Sequence, residues 1–165
     1  MAEHPNVTRV ATAAAERGLQ IRVDRFPAGT RTAEDAARAV GCHVSQIVKS
    51  LVFIVDGDPV IALVSGSDRL DPDRLATALG ASSVRRANGD EARAATGFAI
   101  GGIPPIGHDR TLTVVLDKRL LAHPVVWAAA GLPDAVFAAD PSALARAAGA
   151  RIAAIAADPG PVADG

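Results

Sequence analysis

Lys49 stands in the run Ile47-Val-Lys-Ser-Leu-Val-Phe53, and of the 17 lysines and arginines in the 165-residue sequence only it and Lys118 are lysines. In a strand, Ile47, Lys49, Leu51 and Phe53 share one face, because successive side chains alternate. An ammonium among such neighbours is costly unless it meets an anion or opens onto a cleft. A lysine in a cleft can bind phosphate as a compact charge or polarise a carbonyl. The plainer alternative is a stem that snorkels to water from an edge strand. Bulky residues on both sides favour the cleft.

The second suggestive stretch is Gly101-Gly-Ile-Pro-Pro-Ile-Gly-His108, uncharged at neutral pH, with glycine or proline at five of eight positions. Glycine lets a partner approach the main chain, while proline stiffens the chain and removes a donor. A flexible linker would use Gly and Ser without the apolar residues. The stretch therefore reads either as a rigid loop presenting N–H groups to an oxyanion or ribose hydroxyl, or as a tight structural connection. His108 is a general base or substrate ligand in the first case, a hydrogen-bonded structural histidine in the second.

Val64-Ser-Gly-Ser-Asp68 offers the hydroxyl of Ser65 and a carboxylate, but it is not a Gly-x-Ser-x-Gly elbow, and a helix-capping turn explains it equally well. Cys42 and His43 are adjacent and lack zinc spacing, so neither a metal nor any other cofactor is expected. Cys42 follows a helix end, where nothing would lower its pKa. No Walker loop or dinucleotide fingerprint is present. Covalent catalysis has no evident cast.

The elements that must position these residues are marked by their ends. Residues 6–17 carry apolar side chains at helical spacing and stop at Gly18. Thr32-Ala-Glu-Asp35 resembles a capping box for a helix to Val40, and Asp71-Pro72 and Asp140-Pro141 pair an N-cap with proline at the first helical position. Those two helices close at Gly80 and Gly149, and a shorter helix spans Asp90–Thr96. Strands are expected at Gln20–Arg25, Gln46–Val55, Pro59–Ser65, Thr111–Leu116, Val125–Ala129, Ala135–Ala138 and Arg151–Ile155. Asp56-Gly57-Asp58 is a hairpin turn. Hairpins mixed with helices predict an α+β fold: a mixed, strongly curved β-sheet or partly closed barrel flanked by helices. One domain over 1–157 and a flexible tail over 158–165 are expected.

Net charge is −1 with acids and bases scattered, which argues against wrapping long nucleic acid, so no DNA partner is expected. A local basic patch meeting the end of an RNA stays open: scattered arginines, including Arg85, Arg86 and Arg93, could serve it, with a solvated surface as the plainer reading. The apolar runs fall short of a membrane span, and the N-terminus shows no secretory pattern. A lone cysteine agrees with a reducing compartment, and the expected location is cytoplasmic.

In order along the chain, the Lys49 run, the Gly66-Ser-Asp-Arg-Leu-Asp71 turn, Gly101–Gly107, Asp117, the Ala129-Ala-Gly-Leu-Pro-Asp134 turn and the Phe137–Gly149 ending resemble the YbaK/ProX family of aminoacyl-tRNA deacylases. A related domain is the editing insertion of bacterial prolyl-tRNA synthetases. The likeness covers about residues 5–156. It implies a freestanding trans-editing hydrolase that cleaves the ester of a mischarged small amino acid, of the Cys- or Ala-tRNA(Pro) type. The acceptor end of an aminoacyl-tRNA, and prolyl-tRNA synthetase, are the implied partners. By resemblance, Lys49 holds the terminal nucleotide or the aminoacyl carbonyl, and Gly101 to Pro105 offers main-chain groups that position substrate and water. Phe26, Ser65, Gly102, Ile103 and Asp134 are expected around the substrate, with His108 as a helper. Substrate groups such as the ribose hydroxyl take the place of a protein base. Pro104 stands where the cysteine-clearing branch commonly has a small hydroxyl residue, and Phe26 where it tends to have Tyr. Both departures remove hydroxyl partners. The rival reading is a module that binds a tRNA end or nucleotide without turnover, acting with a synthetase.

Overall fold

Helix ends in this chain fall where side chains can take up free main-chain groups. The structure, a computed structural model, describes residues 3–26 and 32–158, so all but Asp158 of the expected flexible tail lies outside the described residues. Helix α1 (Pro5–Glu16) starts on the His4 ring, which accepts from the Asn6 N–H. Helix α2 (Ala33–Val40) is capped by the Thr32 hydroxyl, which accepts from Asp35 N at 3.0 Å. Asp71 caps α3 (Pro72–Leu79) and Asp140 caps α5 (Pro141–Ala148), each with proline in the first turn as the sequence predicts. Helix α4 (Gly89–Thr96) begins one residue before the expected start. Asn88 and Glu91 there cap each other's free N–H groups.

Among the described residues eight strands form one mixed sheet: β1 (Val23–Arg25), β2 (Ile47–Val55), β3 (Asp58–Ser65), β4 (Val84–Arg86), β5 (Thr113–Asp117), β6 (Val126–Ala129), β7 (Ala135–Ala139) and β8 (Arg151–Ala153). The order is β1-β7-β6-β2-β3-β5-β8, with β4 also paired to β2. The end strands β1 and β8 do not pair with each other, so the sheet is open and the fold is α+β with helices around it. The β2–β3 hairpin turns on Asp56 and Gly57, both at positive φ (48° and 87°), as a two-residue primed turn requires.

Strand β2 is the hub. Its residues Val48 and Val52 pack into the larger apolar cluster with Val10, Ile103 and Phe137, while Phe53 and Val55 join a second cluster with Leu75 and Ile155. Along one edge β2 is zipped to β3 from Val48↔Ser65 to Val55↔Asp58. The other edge is shared. Strand β6 pairs in parallel only at Ile47 and Val48, and β4 pairs antiparallel only from Phe53 to Val55. Between them the sheet is split.

Asp117, buried at the end of β5, holds the lower part of the fold. One of its carboxylate oxygens accepts from Ile155 N and Ala156 N, the other from Arg119 N. Main-chain donors on both oxygens explain how a charge is tolerated there.

Candidate functional site

The split beside β2 opens into a cavity of about 300 Å³, in the range of small-molecule sites. Residues Ile47 to Val52 form one wall, Trp127 to Ala129 another, and Arg86 and Ala87 a third. Gly101, Ile103 and Pro133 close it from the loop side, and Thr32, Ala33 and Ala36 from the α2 side. The alternation of β2 brings both faces of the strand into the wall, because the cavity lies at a strand edge and not over one face.

Lys49 and the Gly101 loop thus share one hollow. The ammonium is half-buried and donates to the main-chain oxygen of Asp68, leaving two of its three N–H directions for a ligand. Burial pulls the Lys49 pKa below the ordinary 10.5; Asp68 and Glu34 oppose this, and Arg86 and Arg69 reinforce it. Arg86 stands at the exposed rim, its guanidinium 5.7 Å from the centre of the Phe53 ring.

The loop owes its course to close packing. A Cβ on Gly102 would lie 2.9 Å from Leu132 Cα, so only glycine lets the loop press against the 130–134 turn. That turn is itself pinned: Asn6 donates to the Gly131 oxygen at 3.1 Å. Gly101 has φ +99°, which turns the chain into the cavity wall. Gly102 N–H is already bonded to Ala99 O, and Pro104 and Pro105 have no N–H. The N–H groups of Gly101 and Ile103 find no acceptor among the described residues.

Other sequence-derived candidates lie elsewhere. His108 and Pro105 line a second cavity of about 200 Å³ with Arg17, Asp109 and Arg110. The His108 Nε2 lies 2.7 Å from Pro104 O. Burial lowers the pKa of that ring from the ordinary 6.5, the Pro104 oxygen opposes this, and Arg17 and Arg9 add to it. Ser65 donates to Ser45 O at 2.7 Å and receives Ser67 N–H, the work of a turn. Asp134 is paired with Arg25, and its main-chain oxygen accepts from Phe26 N. Neither Phe26, Ser65 nor Asp134 is among the described residues lining the first cavity.

Sequence reasoning did not single out Ser50 or Trp127, although both line the site with Arg86, one of the scattered arginines it offered for the RNA. Ser50 carries the clearest oddity. Its hydroxyl is shut off from solvent and has no hydrogen-bond partner among the described residues. The described lining of the cavity contains two cations, Lys49 and Arg86, and no carboxylate, imidazole or thiol. No cluster of three or more His, Cys, Asp or Glu suited to a metal occurs among the described residues. No described helix is long and apolar enough to cross a membrane.

Comparison with known proteins bears on what such a site holds. The family model described as "Aminoacyl-tRNA editing domain" matches residues 27–147. A solved structure presented as a candidate trans-editing enzyme for prolyl tRNA synthetase superposes with a TM-score of 0.89 at 44% identity, covering 95% of this chain and 100% of that one. Proline–tRNA ligase of Nitratidesulfovibrio vulgaris (strain DP4) is 35% identical over 92 residues, which are 56% of this chain and 16% of the ligase. The ligase of Streptococcus equi subsp. equi (strain 4047) is 32% identical over 100 residues, again 16% of its length. The match thus spans about one-sixth of these ligases.

Proposed function

The chain belongs to the aminoacyl-tRNA editing domain family, and from that premise we propose that it is a trans-acting deacylase, which hydrolyses the ester of a small amino acid wrongly attached to tRNA(Pro). The observation that carries this reading is the meeting of Lys49 with Gly101 and Ile103 in one cavity at the split in the sheet.

The ammonium of Lys49 anchors the terminal nucleotide or the acyl carbonyl. Its two free N–H directions and its desolvated setting make such a contact stronger than it would be in water. The N–H groups of Gly101 and Ile103 stabilise the oxygen that becomes negative when water adds to the ester carbon. Collapse of that intermediate breaks the bond to the ribose oxygen, which leaves with a proton as a hydroxyl. The described walls hold no group suited to remove the proton from water. Substrate groups fill that role, with the neighbouring ribose hydroxyl the nearest candidate. Arg86 at the rim meets phosphate.

Alanine or cysteine suits walls built from Ala33, Ala36, Ala92 and Ala128. His108 contributes at one remove, by holding the Pro104 oxygen and so the loop. A cytoplasmic setting and work beside prolyl-tRNA synthetase go with this reading.

A panel of mischarged tRNAs tests it: release of one or more small amino acids from tRNA(Pro) by the wild type, and not by Lys49→Ala, is the expected result. The missing base also favours a second reading, a module that binds the acceptor end without turnover. Saturable binding with no deacylation across the panel would establish that instead.

A further inference from the structure

The split in the sheet leaves the main chain of Ser50 facing the cavity without a partner among the described residues. Odd-numbered positions of β2 bond to β3, as Gly66 N–H to Ile47 O shows. Even-numbered positions therefore turn their N–H and C=O to the other edge, as Ala87 N–H to Val52 O shows. On that edge Val48 is taken by β6, and Val52 by Ala87 at the entry to β4. Ser50 lies between them. The parallel ladder with β6 stops at Val48↔Ala128 and does not continue to a rung joining Ser50 N–H to Ala129 O. Ser50 N–H and C=O consequently face the cavity beside the Ala129 carbonyl. Ala129 points the same way, because Ala130 is the residue bonded to β7, through Ala135 O. Both Ser50 and Ala129 line the hollow.

An α-aminoacyl group has the donor and acceptor of one strand residue, at the same spacing. Resting on the deacylase reading, we infer that the aminoacyl moiety of the substrate occupies this missing rung. Its α-ammonium donates to the oxygens of Ser50 and Ala129, and its ester carbonyl accepts from Ser50 N–H. The contact is strand addition by a single residue. It reads what every amino acid has, so recognition of the side chain falls to the small apolar walls. It also holds the ester carbonyl within the reach of the Lys49 cavity, adding a third N–H donor to those of Gly101 and Ile103. Ser50 thus binds the substrate through its main chain, which explains why side-chain types alone do not reveal it.

Amide hydrogen exchange by NMR on the full chain tests this, using 3′-deoxy-3′-(alanylamino)adenosine, its 3′-lactylamino counterpart lacking the ammonium, and adenosine. In the free protein, Ser50 N–H should exchange at least about tenfold faster than Lys49 and Leu51 N–H, which bond to β3. Saturating alanylamino compound should slow Ser50 by a similar factor. The lactylamino compound should bind more weakly, and adenosine should leave Ser50 unprotected. Protection of Ser50 in the free chain, or equal protection by adenosine, overturns the inference. So does binding of the alanylamino compound, seen by calorimetry, that leaves Ser50 exchange unchanged; the deacylase reading survives that result. If the alanylamino compound does not bind and no charged tRNA is deacylated, both fall.

Discussion

Two cavities border the loop from Gly101 to Thr111, and they treat their titratable residue in opposite ways. In the first, Lys49 is a cation in walls that are mostly aliphatic, held by a single carbonyl. In the second, His108 sits among Arg17, Asp109 and Arg110 with its ring nitrogen already on Pro104 O. Burial lowers both pKa values. The difference is in what remains unsatisfied: the lysine has donors to spare, and the histidine is committed to shaping the loop. A ligand gains most where the protein has desolvated a charge and left it incompletely partnered.

Substitutions on the two sides should separate cleanly. Lys49→Ala should lower deacylation by about a hundredfold or more, the scale for removing a donor to a developing oxyanion. Its melting temperature should stay level or rise, because a desolvated ammonium is gone. His108→Asn should retain activity within a few-fold; a loss as large as that of Lys49→Ala would break the comparison. Gly102→Ala comes next. Its methyl would meet the Leu132 main chain at 2.9 Å, and overpacking of this kind costs about 1–3 kcal/mol. Denaturant unfolding should show that loss, and turnover should fall with it as the wall carrying Ile103 shifts.

Arg86→Ala should be milder, raising KM for tRNA several-fold at low salt with little change in kcat, and the effect should fade as salt screens the rim. The smallest effect concerns pH. Folded His108 binds its proton less tightly than the unfolded chain does, so stability rises with pH between its depressed value and 6.5, and acid below that window carries the full penalty. Thermal melts of His108→Asn should therefore lose less stability than the wild type on acidification below 6.5. Parallel pH curves would show that His108 does not feel this burial.

Helix ends were legible because their signals are local: Thr32, Asp71 and Asp140 cap the helices they precede, with Gly41, Gly80 and Gly149 closing them. The Asn88–Glu91 box carries the same kind of signal, just ahead of the expected start. Strand β4 was not legible. Val84-Arg-Arg86 is three residues with two exposed arginines, and only its pairing with β2 makes it a strand. The Lys49 run and the Gly101 loop announce unusual positions by residue type. Their meeting place does not, because the split depends on where β6 stops and β4 starts along β2. Ser50 and Trp127 enter the site through that long-range register alone, and the same register picks Arg86 out of the scattered arginines.

Trp127 supplies the most direct measurement of the central claim, since it is the chain's one tryptophan and lines the cavity with Lys49. Titration with the non-hydrolysable alanylamino-adenosine, followed by tryptophan emission and calorimetry together, should give one saturable change in the wild type and at least about tenfold weaker binding in Lys49→Ala. Equal affinity in the two proteins, or tight binding that leaves the emission untouched, would contradict a substrate site at the split in the sheet.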